Sequence, residues 1–206
     1  PGGRPAKYTR REIVNAILYQ ARNGCVWRAP PHDLPPYRIV FHYFRLWQTD
    51  GTWDTLHDRL RADVRRAAGK KPRPSVAIVD SQSVKTTERG GVRGFDAHKR
   101  VKGRKRHILV DTLGLPIANR VEPASISDRR AGSLLLAGWG PLFPRVQTVI
   151  ADAGHESRKL ARELLQDNGW KLQIVKRRER AFKITGLTWT VERTFAWLGR
   201  NRPLSK

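Results

Sequence analysis

Apolar residues recur along the first third of the chain at intervals of three and four. Ile13, Ala16 and Ile17 follow Thr9 and Glu12, whose spacing matches a capping box, and Gly24 stands where such a helix would end. Pro30, Pro31, Pro35 and Pro36 exclude a helix interior and predict a loop. A second helix is expected from Pro36 or Tyr37 to Asp50-Gly51, carrying Ile39, Val40, Tyr43, Phe44, Leu46 and Trp47. Thr52 can cap a third, with Trp53, Leu56, Leu60 and Val64 on its apolar side. Three short helices predict a small helix-turn-helix-like module whose core is filled by the aromatics, while Arg38, His42, Arg45 and Gln48 lie off the apolar stripe.

The breaker-rich stretch Gly69-Lys70-Lys71-Pro72-Arg73-Pro74 interrupts this pattern. Beyond it, Val76 to Asp80 is a β-branched run of the kind buried on both sheet faces. Arg104 to Asp111 and Leu115 to Glu122 flank Thr112-Leu113-Gly114 as an antiparallel hairpin. A helix from Ser127 or Asp128 to Leu136 follows, then a strand from Val146 to Asp152. A helix from about Glu156 to Gln166 stops at Asn168-Gly169, and a strand covers Lys171 to Val175. Glu179 to Gly186 reads as a connection and Thr190 to Leu198 as a last helix. The expected fold is α/β: a ribonuclease-H-like mixed sheet flanked by helices over residues 76–206, preceded by a helical domain over 1–70 and a linker at 71–75.

Charge narrows the function. Against 18 Asp and Glu the chain sets 41 Lys and Arg, a formal charge of +23, which points to a polyanionic partner and above all to nucleic acid. The single Cys25 cannot form an internal disulfide, no Cys/His cluster has zinc spacing, and no glycine-rich run ends as a P-loop does. With no apolar run of membrane-spanning length, a soluble cytoplasmic protein associated with the nucleoid is expected. The absent initiator Met and the abrupt end after Asn201 suggest a fragment or a trimmed reading frame.

Both buried runs end on an aspartate, Asp80 and Asp152, and the final helix carries Glu192 about 100° round from the apolar Val191. Carboxylates delivered beyond strand ends suit hard divalent cations and in-line displacement at phosphorus. Asp111, Asp128 and Glu156 are the rivals. Asp111 is expected to begin the hairpin turn, Asp128 to cap a helix, and Glu156 to favour the positive end of its helix. The basic run from His98 to His107 contains Lys99, Arg100, Lys102, Arg104, Lys105 and Arg106 and suits phosphate neutralisation, with a solvated loop as the bland alternative.

Four segments carry a resemblance: Val79-Asp80-Ser81-Gln82-Ser83-Val84-Lys85, Lys102 to Asp111, Ala151-Asp152-Ala153-Gly154, and Trp189 to Leu198. In this order they resemble the DDE transposases of bacterial insertion sequences, nearest the insertion sequence 5 family. Gly24 to Arg28, Pro31 to Pro36 and Asp50 to Trp53 resemble the domain that precedes the catalytic core there. The resemblance implies that Asp80, Asp152 and Glu192 bind two magnesium or manganese ions and act catalytically. It further implies metal-dependent cleavage of double-stranded DNA at the element's terminal inverted repeats, transfer of the freed 3′ end into target DNA, and a homodimer on DNA. Lys85 and Arg193, together with Arg38 and Arg45 of the helical module, complete the expected DNA contacts.

The chain also departs from the family pattern. Where relatives carry a Tyr, an Arg and a Lys around the glutamate, the corresponding positions are Thr185, Thr188 and Gly199, and Pro203 replaces an Arg. These departures raise a second reading, a decayed copy that only binds DNA, whereas the intact Asp80, Asp152 and Glu192 favour an active transposase. A third is a nuclease without strand transfer.

Overall fold

Helix α1 (Arg10–Asn23) starts on a complete capping box. The Thr9 hydroxyl accepts from the Glu12 N–H at 3.2 Å, and the Glu12 carboxylate accepts from the Thr9 N–H at 2.7 Å. Gly24, at φ 66°, ends it in the left-handed conformation that glycine adopts without a Cβ penalty. This computed structural model describes residues 7–86, 91–175 and 188–204; the connection expected over Glu179–Gly186, with Thr185, lies outside them. The chain divides into two compact units, residues 1–60 with 198–205 and residues 61–197.

The first unit contains α1, α2 (Tyr37–Thr49) and the start of α3 (Thr52–Ala67). Thr52 is the first residue of α3 rather than its cap, and its N–H is accepted by the Asp50 carboxylate at 2.9 Å. Ile13, Ala16, Ile17 and Val40 are buried at the centre, with Trp27, Tyr43, Phe44, Trp47 and Trp53 packed around them. The aromatic rings meet at tilted or edge-on angles, as for Trp47 and Trp53 at 5.4 Å, the geometry their quadrupoles favour.

α3 departs from its sequence reading. Leu56, Leu60 and Val64, expected to face inward, are exposed, and the buried side chains are Arg61 and Arg65. Those two find partners that offset the cost of burying charge. Arg61 lies over the Phe143 ring at 4.9 Å and donates to the Pro116 carbonyl, and Arg65 pairs with Asp111. The expected linker at 71–75 is without regular structure and falls within the second unit.

The second unit is a mixed α/β fold. Its sheet comprises β1 (Val76–Lys85), β2 (Gly94–Asp96), β3 (Val101–Asp111), β4 (Pro116–Pro123), β5 (Thr148–Asp152) and β6 (Lys171–Val175). Along the order β2-β3-β1-β5-β6, β1 pairs antiparallel with β3 and parallel with β5, β5 pairs parallel with β6, and β4 pairs with β3. Helices α4 (Asp128–Leu136), α5 (Arg158–Asn168) and all but the last two residues of α6 (Thr188–Gly199) complete it. Ser127 and Ser157 supply the N-cap hydroxyls of α4 and α5, and the latter sets α5 two residues later than expected.

Ala77, Ile78 and Val79 are all buried because both faces of β1 are covered. On one face Ala77, Val79, Leu109, Val149 and Ala151 share a core with Leu135, Leu136, Leu160, Leu164 and Trp170. The opposite face carries Ile78, Ile108 and Ile150, and there Arg106 lies over Phe195 of α6 at 5.9 Å. Among the described residues no helix is long and apolar enough to cross a membrane.

Candidate active site

Asp80 and Asp152 stand at one level on neighbouring strands. The last parallel pair between β1 and β5 is Ile78 with Ile150, and each aspartate lies two residues further on, on the same sheet face. Asp80 does not end its strand, contrary to the sequence reading. β1 continues to Lys85 because β3 keeps pairing with it, Asp80 against Ile108 and Lys85 against Gly103. The parallel partner is what runs out here, so Asp80 lies past the last β1–β5 pair while still held from the β3 side.

This placement sets the charge states. Burial pushes the Asp80 carboxyl up to about 6; the Ser81 N–H, donating at 2.7 Å, pulls it down, the like charge of Asp152 pushes it up, and His155 and Lys99 pull it down. Asp152 is 57% exposed, and its pKa is lowered, first by the His155 ring at 2.8 Å, against a smaller effect of burial, and further by the Gly154 N–H. The pair therefore combines one carboxylate that holds its charge with one that gives it up more readily.

Glu192 is exposed on α6, whose Phe195 lies under Arg106 on the sheet face that also bears Asp80. Among the described residues no group of three His, Cys, Asp or Glu side chains is poised to hold a metal ion, so the three expected ligands are not gathered into one cluster. The two aspartates do fit a hard divalent cation. Both offer carboxylate oxygens, and the backbone beside Asp152 is cut back: a Cβ on Gly154 would stand 3.0 Å from Asp128 Oδ2 and 3.2 Å from Asp152 Oδ1.

Two of the rivals have other work. Asp111 closes the β3–β4 turn by accepting from the Leu113 and Leu115 N–H groups at 2.8 and 2.9 Å. Asp128 is the first residue of α4, with Ser127 as the cap, and its Oδ1 accepts from the Ser81 hydroxyl at 2.8 Å. Glu156 precedes the Ser157 cap of α5.

Beneath the pair lies a buried polar network that the sequence reading missed. Lys105, expected to touch DNA, is only 6% exposed, and its ammonium sits 3.2 Å from Asp128 and 3.3 Å from Asp96 while donating to the Ile126 carbonyl. Burial opposes the charge on Asp96, yet the Ser83 hydroxyl, the Lys99 N–H and Lys105 outweigh it and hold its carboxyl well below the ordinary range. His107, wholly buried, is pushed down to about 4 by burial, against the pull of Asp128. Strand alternation was the available signal. Gly103, Lys105, His107 and Leu109 share one face of β3, and Leu109 belongs to the core.

The other expected DNA contacts divide by exposure. Lys85, Arg100 and Lys102 are exposed, as are Arg38 and Arg45 of the first unit, where Arg45 donates to Gln48 at 3.1 Å. Lys99 is exposed along most of its length, although its ammonium donates to the Ser81 carbonyl at 3.1 Å. Arg104 donates to the Val92 carbonyl. Arg106 donates to Gln82, and burial lowers its pKa. Arg193 lies 4.6 Å from both the Trp189 and Trp197 rings and donates to the Leu113 carbonyl at 2.7 Å, fixing α6 to the hairpin turn. A cavity of about 430 Å³ lined by Arg129, Arg130 and Lys159 adds cations that the sequence reading did not single out.

Fold and site together define an α/β domain with a carboxylate pair on adjacent strands beside a strongly basic surface. Comparison places it more narrowly. The sequence pattern of the family described as "Transposase DDE domain" matches residues 71–202, and the chain belongs to that family. Residues 1–57 match the family described as "Putative transposase of IS4/5 family". Two relatives come from Burkholderia cepacia. The "Putative transposase for insertion sequence element IS402" is 34% identical over 110 residues, covering 50% of this chain and 52% of that protein. The "Insertion element IS402 uncharacterized 16.2 kDa protein" is 34% identical over 92 residues, covering 44% and 60%. The chain thus spans between half and three-fifths of the curated relatives it matches.

Proposed function

We propose that this chain is the DNA-processing part of an insertion-sequence transposase, cutting double-stranded DNA at the terminal inverted repeats of its element and joining the freed ends to target DNA. The observation that carries this reading is the level placement of Asp80 and Asp152 on adjacent strands, in a chain of the transposase DDE-domain family. Residues 76–206 serve as a ribonuclease-H-like catalytic domain, residues 1–70 as a helix-turn-helix-like DNA-binding domain, and 71–75 as the linker. Two such chains bring two element ends together as a homodimer, at work on the nucleoid in the cytoplasm.

Asp80, Asp152 and Glu192 are the residues that would hold two magnesium or manganese ions. When bound, such ions supply charge neutralisation at the reacting phosphate and activate the attacking oxygen. The protein contributes the rest through position and charge. Asp152 keeps its carboxylate ionised near neutral pH through His155 and the Gly154 N–H. Asp80, raised to about 6, is the group whose protonation limits the site on the acid side. Lys85, Lys99, Arg100, Lys102 and Arg104 neutralise backbone phosphates, and Arg38 and Arg45 of the helical domain contact phosphates of their own.

Alanine variants test the assignment one residue at a time. Asp80→Ala, Asp152→Ala and Glu192→Ala should each lose metal-dependent cleavage of element-end DNA while keeping salt-sensitive DNA binding close to that of the parent chain. A variant that still cuts at the parent rate removes its residue from the triad.

A further inference from the structure

We infer that His155 is a positioning residue for the metal site, holding one oxygen of Asp152 so that the other is presented to the cation. The inference deepens the function proposed above and rests on it. His155 closes the short 3-10 helix Ala153–His155 that follows β5, and its ring is 0% exposed. Its Nδ1 lies 2.8 Å from Asp152 Oδ1. An ionised carboxylate only accepts, so Nδ1 carries the proton and donates it. The Gly154 N–H donates to the same oxygen at 3.1 Å. Asp152 Oδ1 is therefore held by two donors, neither of which engages Oδ2.

Two features distinguish this arrangement from a ring that merely fills space. The Nε2 of His155 is buried with no hydrogen-bond partner among the described residues, a cost that an apolar side chain of similar size would avoid. The neighbouring helix is also shaped to admit the ring. Gly132 lies inside α4, where glycine is unfavourable, and a Cβ there would meet His155 Cδ2 at 3.3 Å and Leu160 Cδ2 at 3.4 Å. A buried imidazole retained at these two costs and aimed at one carboxylate oxygen is the outer-shell partner that orients a metal ligand.

The test is binding of Mn²⁺ alone to the full chain, read by calorimetry, with unfolding followed on the same samples. His155→Phe keeps a ring but removes the donor, and should weaken Mn²⁺ binding by roughly 10- to 100-fold with little change in DNA affinity. His155→Asn places an amide donor where Nδ1 stands and should recover most of that loss. His155→Gln places it where Nε2 stands and should not, a comparison that holds even if the phenylalanine variant fails to fold. Phe, Asn and Gln variants that bind alike would overturn the positioning role, as would wild-type affinity in the Gln variant. Asp152→Ala is the control: if it binds Mn²⁺ as tightly as the parent, the metal site itself is misassigned and the role of His155 falls with it. If it binds weakly while the His155 variants do not, only the present inference is overturned.

Discussion

The Arg65 guanidinium meets the Asp111 carboxylate at 2.5 Å with both side chains almost wholly buried. Asp111 also takes the Leu113 and Leu115 N–H groups, so one carboxylate closes the β3–β4 turn while the arginine neutralises it. Breaking such a pair from one side leaves a buried charge, at a cost of about 3–5 kcal/mol. Arg65→Met should lose that much in urea unfolding, and Arg65→Met with Asp111→Asn should regain a good part of it. A single-variant loss below about 1 kcal/mol would show that the pair is solvated.

His107 makes stability depend on pH. Its folded pKa of about 4 lies below the ordinary histidine value of about 6.5, so between those values the unfolded chain binds a proton that the folded chain refuses. Stability should be unaffected by this group above about pH 6.5 and fall toward pH 4, by on the order of 3 kcal/mol. Denaturant unfolding from pH 7 to 4.5 should show a shallower decline in His107→Gln than in the parent. Parallel curves would mean that the ring is not buried neutral.

Lys105 and Lys102 should separate cleanly. Lys102→Ala removes an exposed cation and should reduce the slope of log affinity against log salt by about one while leaving unfolding unchanged. Lys105→Met strips Asp96 and Asp128 of their shared ammonium and should cost about 3 kcal/mol or more in stability, with the salt slope little altered. The opposite pattern would return Lys105 to the DNA surface.

All six α-helices named here and the strands carrying Asp80 and Asp152 were legible from apolar periodicity and capping chemistry. What escaped was set by partners outside the local pattern. The apolar run of β1 stops at Asp80, yet pairing with β3 carries the strand five residues further. β2 is a three-residue strand inside a glycine-rich stretch and exists only through its pairing with β3. On α3 the apolar residues do form a stripe, but it faces outward; Arg61 and Arg65 take the buried side because Phe143, Pro116 and Asp111 receive them.

The same division holds at the site. Asp80 and Asp152 were visible as acids at the ends of apolar runs. Lys105 sits in a basic run that suggests a surface charge, although strand alternation aligns it with His107 and Leu109. His155 carried no signal, because its role depends on a 3-10 turn folding back onto Asp152.

Strand transfer itself is decisive: DNA bearing the element's ends, a target duplex and magnesium or manganese, with the parent chain beside Asp80→Ala. A working transposase gives joined donor–target products that require the metal and disappear in the variant. Joining that persists in Asp80→Ala, or DNA binding by the parent chain with no metal-dependent cutting or joining, would contradict the proposed transposase function.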